Sequence, residues 1–265
     1  MKKIILSLTV VLLSIMSASA QKSLGYFNTF GVGLNVGTEG IGMNVAAPLG
    51  NHFDVSAGFD VMPAIKFNAN VKVNTSGINL PYPDGTPFNI KDVDVQGNVK
   101  RVTGFVKFDY YPFNHSSFFI AAGFSYGGSR LLKLKGHSND IKDYYQAWLN
   151  EGKTFDDVKI NLDLEDFNLP VNQNGDVDGY AKVNGFRPYF GLGFGRLVPK
   201  KRVGVRVELG AQLHGTPKLY YKEENGSYQE LQKLDKVKGD DDLSKYINKM
   251  KVYPVLKLSF VGRIL

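Results

Sequence analysis

The segment around His137 contains the residue types of a hydrolase. His137, Ser138 and Asp140 stand within four consecutive positions, and they have the chemistry of a base, a nucleophile and an orienting acid. A serine nucleophile needs its base within hydrogen-bond reach and a third group that orients the base. Here the three residues follow one another in a single polar segment, and no strained turn presents the serine. We therefore expect no catalytic residues and predict that the protein is not an enzyme.

A second segment has the spacing of a calcium loop. Asn174, Asp176 and Asp178 occupy positions 1, 3 and 5 of such a loop, and Gly179 occupies position 6. Position 12 falls on Gly185, so the bidentate acid that completes the coordination is missing. The segment is either a weak calcium candidate or a turn rich in Asn, Asp and Gly. Beyond this candidate we predict no metal and no cofactor.

A run of glycines at Gly191, Gly193 and Gly195 invites comparison with nucleotide-binding loops. Those loops need a strand, a tight turn and a helix N-terminus, whereas these glycines recur at every second residue and Pro199 follows them. The run is therefore typical of a strand. The formal net charge is +7, from 32 Lys and Arg against 25 Asp and Glu. No recognised nucleic-acid module accompanies that charge, so we expect no nucleic acid among the partners.

The elements that must position these residues alternate apolar and polar side chains with a period of two, the pattern of half-buried strands. We place eight strands, near 29–36, 40–48, 52–66, 95–111, 117–133, 183–198, 202–216 and 252–265. Short turns alternate with long loops near 67–94, 134–182 and 217–251. An even number of antiparallel strands, with short turns at one end of the sheet and long loops at the other, predicts an all-β fold. That fold is an eight-stranded up-and-down transmembrane β-barrel with short periplasmic turns and long extracellular loops containing short helices.

The two faces of the strands distinguish a membrane barrel from a soluble one. A soluble barrel such as a lipocalin turns its apolar set inward. Here the polar set is rich in Gly and Ser, which suits a narrow lumen, and the apolar set has aromatics near strand ends, as interface girdles do. Those aromatics are Phe53, Tyr110, Phe118 and Phe186. The polar set mixes charges of both signs, which predicts an ion-pair network in the lumen. The residues of that network are Asp60, Lys107, Asp109, Arg206 and Glu208.

The first twenty residues have the features of a secretory signal peptide. Lys2 and Lys3 precede an apolar run over 4–16, and Ala18-Ser19-Ala20 supplies the small residues of a cleavage site. The run is too short to span a bilayer as a helix. We predict a signal peptide at 1–20 and one outer-membrane barrel domain at 21–265. The chain contains no cysteine, so disulfides are excluded.

Three barrel motifs resemble those of a known family. They are PYFGLGFG at 188–195, GTPK at 215–218 and YPV at 253–255. They are similar to the PYxGxGxG, G(S/T)PK and YPV motifs of small outer-membrane β-barrel proteins of Gram-negative bacteria, in a largely uncharacterised group. The resemblance covers the barrel and not the long loops. It implies a place in the cell outer membrane, contact with membrane lipid and lipopolysaccharide, and insertion by the barrel assembly machinery. Rim cations near Lys66, Arg130 and Lys133 either touch lipid phosphates or are simply solvated.

Loop 134–182 contains a helical pattern. Apolar and aromatic residues recur at helical spacing over 140–150, Ser138 or Asp140 can cap the helix, and Gly152 can end it. The stripe consists of Ile141, Tyr144, Tyr145, Trp148 and Leu149. It either packs on the barrel rim or a neighbouring loop, or forms a contact surface. A charged segment at 229–249 is a second helical candidate.

These observations predict a structural or interaction protein with a closed lumen, because eight strands leave a lumen that side chains can fill. Function then belongs to the long loops, which exceed what a hairpin needs. We expect an unknown envelope or extracellular partner to contact Tyr144, Tyr145 and Trp148. The alternative is transport or lipid handling of small apolar molecules, through the barrel or a lateral opening.

Overall fold

The eight predicted segments close into a β-barrel. A computed structural model describes residues 25–74, 81–90, 92–164, 167–232 and 251–264. The barrel strands are β1 (Phe30–Gly37), β2 (Gly40–Pro48), β3 (Phe53–Met62), β6 (Arg101–Tyr110), β7 (Phe118–Gly127), β12 (Phe186–Phe194), β13 (Val203–Leu213) and β16 (Val252–Ile264). They pair in the order β1-β2-β3-β6-β7-β12-β13-β16, and β16 returns to pair with β1. The predicted fold class is confirmed.

Closure of the barrel depends on the pairing of β1 with β16. Their register runs from Phe30 opposite Ile264 to Gly37 opposite Lys257. Each barrel strand therefore has two hydrogen-bonded neighbours. A membrane demands this arrangement, because hydrocarbon offers no partner to backbone N–H and C=O groups.

Barrel side chains face outward where the sequence is apolar and inward where it is polar. Leu34 is 57% exposed and Phe190 59% exposed, whereas the charged Asp54 and Arg206 are 0% and 1% exposed. A soluble barrel has the reverse arrangement. The membrane interpretation of the alternation is therefore confirmed.

Aromatic side chains pair at the ends of the barrel strands. Phe53 lies 5.0 Å from Tyr110 between ring centroids, and Phe186 lies 5.3 Å from Phe124. Phe118, another of the predicted girdle residues, packs edge-on against Phe194, with the ring centroids 5.5 Å apart. These pairs occupy the girdle positions of a membrane barrel. Among the described residues, no helix has the length and apolar character to cross a membrane.

The long connections predicted as loops fold into a second sheet, which we call the cap sheet. Its strands are β4 (Lys66–Asn74), β5 (Asp92–Asn98), β8 (Arg130–His137), β9 (Asn161–Leu164), β10 (Phe167–Pro170), β11 (Asp176–Lys182), β14 (Lys218–Lys222) and β15 (Tyr228–Glu230). They lie in the order β10-β9-β4-β5-β8-β11-β14-β15. The run β4-β5-β8-β11-β14 follows the barrel order β3-β6-β7-β12-β13, so five barrel strands continue as cap strands.

A bend separates the barrel from the cap sheet. At the end of β7, Gly127 and the following Gly128 have φ angles of 88° and 52°, in the left-handed region that glycine enters freely. Backbone hydrogen bonds nonetheless continue across the bend. The Gly127 N–H donates to the Gly185 carbonyl at 3.1 Å, and the Val183 N–H donates to the Ser129 carbonyl at 2.8 Å. The barrel ladder therefore fixes the position of the cap sheet.

The predicted helix in loop 134–182 is confirmed. Helix α1 (Asn139–Asn150) begins after Ser138, whose hydroxyl accepts a hydrogen bond from the Ile141 N–H at 3.3 Å. The positive φ of Gly152, 82°, follows its end, and a short helix α2 (Phe155–Val158) comes next. The helices cover the apolar inner side of the cap sheet, where a core of buried residues includes Val93, Ile141 and Leu162.

Two predictions fall largely outside the described residues. The signal peptide at 1–20 lies wholly outside them. Of the helical candidate at 229–249, Gln229 and Glu230 belong to strand β15, and positions 233–249 are outside the described residues.

Candidate functional site: the lumen and the cap sheet

The centre of the lumen is a network around Glu208. Its carboxylate lies 2.5 Å from the Lys107 ammonium and 2.8 Å from the Arg206 guanidinium, and it accepts a hydrogen bond from the Tyr189 hydroxyl. Arg206 also pairs with Asp109 at 2.6 Å. All of these side chains are buried. The alternation positions them, because the charged residues of β6 and β13 share the inward face. Four of the five predicted network residues meet here.

A second cluster surrounds Lys257. Its ammonium lies 2.6 Å from Asp60 and 3.0 Å from Glu39. The Phe105 ring contacts both clusters, with its centroid 4.5 Å from the Lys257 ammonium and 5.2 Å from that of Lys107. Asp60, the fifth predicted residue, therefore belongs to this cluster. The predicted network did not include Glu39 or Lys257. Glu39 lies in a tight turn, where no alternation shows which way a side chain points. Lys257 lies on β16, where the alternation does place it on the inward face, so the sequence could have predicted it.

Polar side chains extend the network toward the cap sheet. Gln212 donates a hydrogen bond to Glu39. Arg187 donates to the Gln212 side chain at 3.2 Å and to the Thr103 hydroxyl at 3.2 Å. It also donates to the Gly127 carbonyl at 2.7 Å, at the end of β7. The network thus reaches the bend where the barrel strands become cap strands.

The opposite end of the lumen is closed by the turn at 195–202. The Leu197 N–H donates to the Tyr111 hydroxyl at 3.2 Å, and that hydroxyl donates to Asp54 at 2.9 Å. Leu197 and Val198 are 4% and 0% exposed, so the turn points its apolar residues into the barrel. The Arg196 guanidinium lies 4.1 Å from the centroid of the Tyr111 ring. Sequence reasoning identified this turn only as a short connection.

The glycines of the PYxGxGxG strand make room for the lumen side chains. A Cβ atom on Gly193 would lie 2.0 Å from the Val207 carbonyl oxygen and 2.7 Å from the Phe119 ring. A Cβ atom on Gly210 of the next strand would lie 2.1 Å from the Tyr189 hydroxyl. Glycine is therefore required where aromatic rings cross a narrow lumen.

Buried charges of both signs fill the lumen. The acidic ones are Asp54, Asp60, Asp109, Glu39 and Glu208, and the basic ones are Arg101, Lys107, Arg187, Arg196, Arg206 and Lys257. Buried charges need an opposite charge or hydrogen bonds. Ion pairs supply them around Glu208 and Lys257, and hydrogen bonds hold Arg187 and Arg196. The arrangement joins strands across the barrel and packs its interior, which is what an eight-stranded barrel has room for.

The hydrolase-like residues form a structural contact. The Ser138 hydroxyl caps α1, and Asp140 lies in the first turn of that helix. His137 Nδ1 lies 2.7 Å from the Asp176 carboxylate, and Nε2 lies 3.1 Å from Asn139 Oδ1. These contacts raise the pKa of His137, with the hydrogen bond to Asn139 the larger cause and that to Asp176 the next. The imidazole is thus oriented toward cap residues and not toward a serine nucleophile.

The calcium candidate does not form a calcium loop. Asp176 and Asp178 lie on the extended strand β11, which separates their Cα atoms by about 6.6 Å. Asn174 lies in a turn in which the Gly175 N–H donates to the Asn172 carbonyl at 2.9 Å. In the described part of the chain, no group of three or more His, Cys, Asp or Glu side chains is arranged to hold a metal. The other interpretation of this segment was a polar turn, and such a turn is found at 172–175.

The predicted partner contact is corrected by the burial of its tyrosines. Tyr144 and Tyr145 are both 0% exposed in the core of the cap sheet. The Tyr145 hydroxyl accepts from the Ile160 N–H at 2.7 Å and donates to the Val171 carbonyl at 3.2 Å, and burial raises its pKa. Trp148 is half-buried against the same core, and its indole N–H donates to a backbone carbonyl at 3.2 Å. The stripe packs inward, and its two fully buried tyrosines are closed to a partner in this fold.

No protein-family model matches the chain, and no curated protein matches it. The chain is similar in fold to three solved structures. CarO of Acinetobacter baumannii is 18% identical over 88% of this chain and 96% of its own, with a TM-score of 0.45. CarO2 of the same organism is 18% identical over 92% and 100%, with a TM-score of 0.47. A major outer membrane protein from Thermus thermophilus is 15% identical over 89% and 99%, with a TM-score of 0.33.

Identities this low show the fold alone, so the role of the chain follows from its own residues. A closed antiparallel barrel with an apolar outer belt, aromatic girdles and a polar lumen is the architecture of the bacterial outer membrane. This chain is an outer-membrane β-barrel protein.

Proposed function

We propose that the protein is a closed, non-conducting barrel that presents the cap sheet at the cell surface and acts as a structural or interaction protein through it. The filled lumen is the observation that supports this best. A solute that crossed the barrel would have to separate the ion pairs of Glu208 and displace the apolar turn at 195–202. Uncovering one buried partner of such a pair costs about 3–5 kcal/mol. This cost argues against transport of small apolar molecules through the lumen.

The cap sheet supports the interaction role because it is an ordered extension of the barrel. Five of its strands continue barrel strands, and it has its own apolar core. A rigid element holds a recognition surface in place at low entropic cost. We propose no enzymatic activity, since the Ser138 hydroxyl and both His137 ring nitrogens are engaged in local contacts.

We further propose that the chain belongs to the small-barrel group with PYxGxGxG, G(S/T)PK and YPV motifs. The steric need for glycine at Gly191 and Gly193 supports this, because it gives the first motif a packing role. We propose outer-membrane lipid, lipopolysaccharide and the assembly machinery as its general partners, as for other barrels of this architecture.

Current recordings in a planar lipid bilayer test the closed lumen. The wild-type protein is expected to give no steady openings. A matched variant carries Lys107→Ser, Asp109→Ser, Arg206→Ser and Glu208→Ser, which removes equal numbers of each charge and empties the centre of the lumen. That variant is expected to conduct, provided that it retains the heat-modifiable migration of a folded barrel. Steady openings in the wild type would contradict the proposal and favour the transport alternative.

Protease treatment of intact cells tests where the cap sheet lies. At a protease dose high enough to cut folded protein, well above that of limited proteolysis, cleavage within 130–182 from outside the cell is expected, whereas cleavage only after the outer membrane is permeabilised would place the cap sheet on the periplasmic side and contradict the proposal.

A further inference from the structure

Three cations lie side by side where the cap sheet leaves the barrel. Lys182 on β11 lies opposite Lys218 on β14, and it lies opposite Arg130 on β8 across a β-bulge, where the register shifts between Ala181 and Lys182. Residues directly opposite each other share one face of a sheet, with Cβ atoms roughly 4.5–5.5 Å apart, and like charges in such positions destabilise it. We call Arg130, Lys182 and Lys218 the cation row.

Carboxylates neutralise the cation row only in part. Lys218 pairs with Glu230 at 3.0 Å. Within the described ranges, neither Arg130 nor Lys182 has an Asp or Glu at ion-pair distance. Counting only carboxylates at ion-pair distance, three cations and one carboxylate leave a charge of 3 − 1 = +2 on the row. Asp178 is hydrogen-bonded to Tyr228 and not ion-paired with Arg130. All three cationic side chains are exposed, so this charge faces the surroundings of the protein.

Tyrosine rings hold the cations in place without cancelling their charge. The Arg130 guanidinium lies 4.6 Å from the centroid of Tyr180 and 5.9 Å from that of Tyr228. The Lys182 ammonium lies 5.8 Å from the centroid of Tyr220, which stacks on Tyr180 at 5.0 Å and 14°. Cation–π contacts fix a cation over a ring. The row is therefore pre-organised and positively charged.

The cation row stands just above the membrane interface. Arg130 comes four residues after Tyr126, and Lys182 comes four residues before Phe186. Tyr126 and Phe186 are lipid-facing girdle residues, 67% and 55% exposed, and girdle aromatics sit at the level of the headgroups. Four residues of strand span at most about 13 Å. Long Arg and Lys side chains on that row can reach the phosphates of the outer leaflet.

We propose that the cation row binds phosphate groups of outer-leaflet lipid, for which the phosphorylated glucosamine headgroup of lipopolysaccharide has the fitting chemistry. This proposal rests on the proposed function, because it takes the cap sheet, and not the lumen, to be the part of the protein that binds a ligand. The planar guanidinium of Arg130 suits two phosphate oxygens, and the lysines act as point charges. A bound phosphate also relieves the repulsion within the row. The barrel would thereby be fixed to specific lipids, with the cap sheet held at a defined height.

Binding of lipid A to the full-length protein in neutral detergent micelles tests this assignment. The test variant carries Arg130→Gln, Lys182→Gln and Lys218→Gln. The matched control carries Lys72→Gln, Lys135→Gln and Lys222→Gln, which remove the same charge from the far ends of cap strands. Each charge of the row is expected to contribute about fivefold to affinity, so the test variant should bind about 100-fold more weakly. The control should stay within about threefold of the wild type.

The competing ligands and the unfolding midpoint complete the test. Wild-type binding is expected to weaken with salt, and dephosphorylated lipid A is expected not to bind. The test variant should unfold at the wild-type temperature or above, because it loses a repulsion. Equal weakening in the test variant and the control would overturn the assignment, since it would show a general charge effect. Free inorganic phosphate that binds as tightly as lipid A would overturn it in favour of a soluble anion. Bilayer recordings are independent: a conducting wild type that binds lipid A through the row contradicts only the proposed function.

Discussion

Glu208 satisfies two buried cations at once, and so it is the side chain on which the lumen depends most. Its removal leaves Lys107 short of its carboxylate and deprives Arg206 of one of two. The change Glu208→Ala is expected to lower the free energy of unfolding by about 3–5 kcal/mol, because a buried charge is left uncompensated. Urea titration of the refolded protein in micelles measures this. The control Glu230→Ala breaks an exposed pair and should cost less than about 1 kcal/mol. Equal losses in the two variants would show that water reaches the lumen charges.

His137 gives the cap sheet a dependence on pH. Its folded pKa is raised above 6.5, first by the hydrogen bond to Asn139 and then by that to Asp176. The stabilisation is therefore fully present below pH 6.5 and is lost as the pH rises through the folded value. Proton NMR of the imidazole, assigned with His137→Gln, should show this raised pKa, and Asp176→Asn should lower it toward 6.5. A titration at or below 6.5 in the wild type would contradict the contacts seen here.

At the scale of single elements, β12 shows why a barrel strand needs glycine at chosen positions. The change Gly193→Ala places a Cβ atom 2.0 Å from the Val207 carbonyl oxygen, where backbone cannot yield. The expected result is a large loss of the folded fraction after refolding, measured as heat-modifiable migration in a gel. The control Gly104→Ala, in β6, has its closest neighbour at 3.9 Å and should fold as the wild type does. If Gly193→Ala folds as well as the control, the lumen is wider than described.

The elements also show what the sequence could and could not predict. Eight barrel strands follow from alternation, because lipid outside and a packed lumen inside enforce it on every strand. Most of the cap strands were missed, although Phe67, Ala69 and Val71 alternate in β4 in the same way. The predicted strands at 95–111 and 117–133 reach only into β5 and β8. Strands β9 and β10 have only four residues each, which is too few for a period to stand out. The sequence of these connections therefore suggests irregular loops, although the connections contain short strands.

Contacts between elements were harder to predict from the sequence than the elements themselves. Lys257 and Asp60 are 197 positions apart, and their contact depends on barrel closure and register. The same limit explains the error at Tyr144 and Tyr145. A helical stripe shows which side of α1 is apolar, but it does not show whether another sheet covers that side. The cap sheet covers it, and both residues are core.

The whole molecule has two interiors of opposite chemistry. The barrel is apolar outside and polar inside, and it is held by a closed backbone ladder and buried ion pairs. The cap sheet has an apolar core around α1, with Val93, Leu162 and Val177 among its members, and it depends on burial from water. Because different forces stabilise the two parts, the cap sheet should open at lower free energy than the barrel.

The change Tyr145→Ala tests this division of the molecule. It removes a fully buried ring from the cap core, together with the hydroxyl that bridges Ile160 and Val171. Aromatic-to-alanine changes in a core cost about 3–5 kcal/mol, so the cap sheet should become sensitive to limited proteolysis in liposomes. The barrel should survive as a protected, heat-modifiable fragment, because its ladder lies in lipid. The control Tyr26→Ala alters a tyrosine that is 79% exposed and should change neither part. Mass spectrometry of the fragments locates the cuts. Loss of the barrel together with the cap sheet would mean that the five continuous strands couple both parts into a single cooperative unit, and the ion pairs of the lumen would then depend on the packing of the cap core.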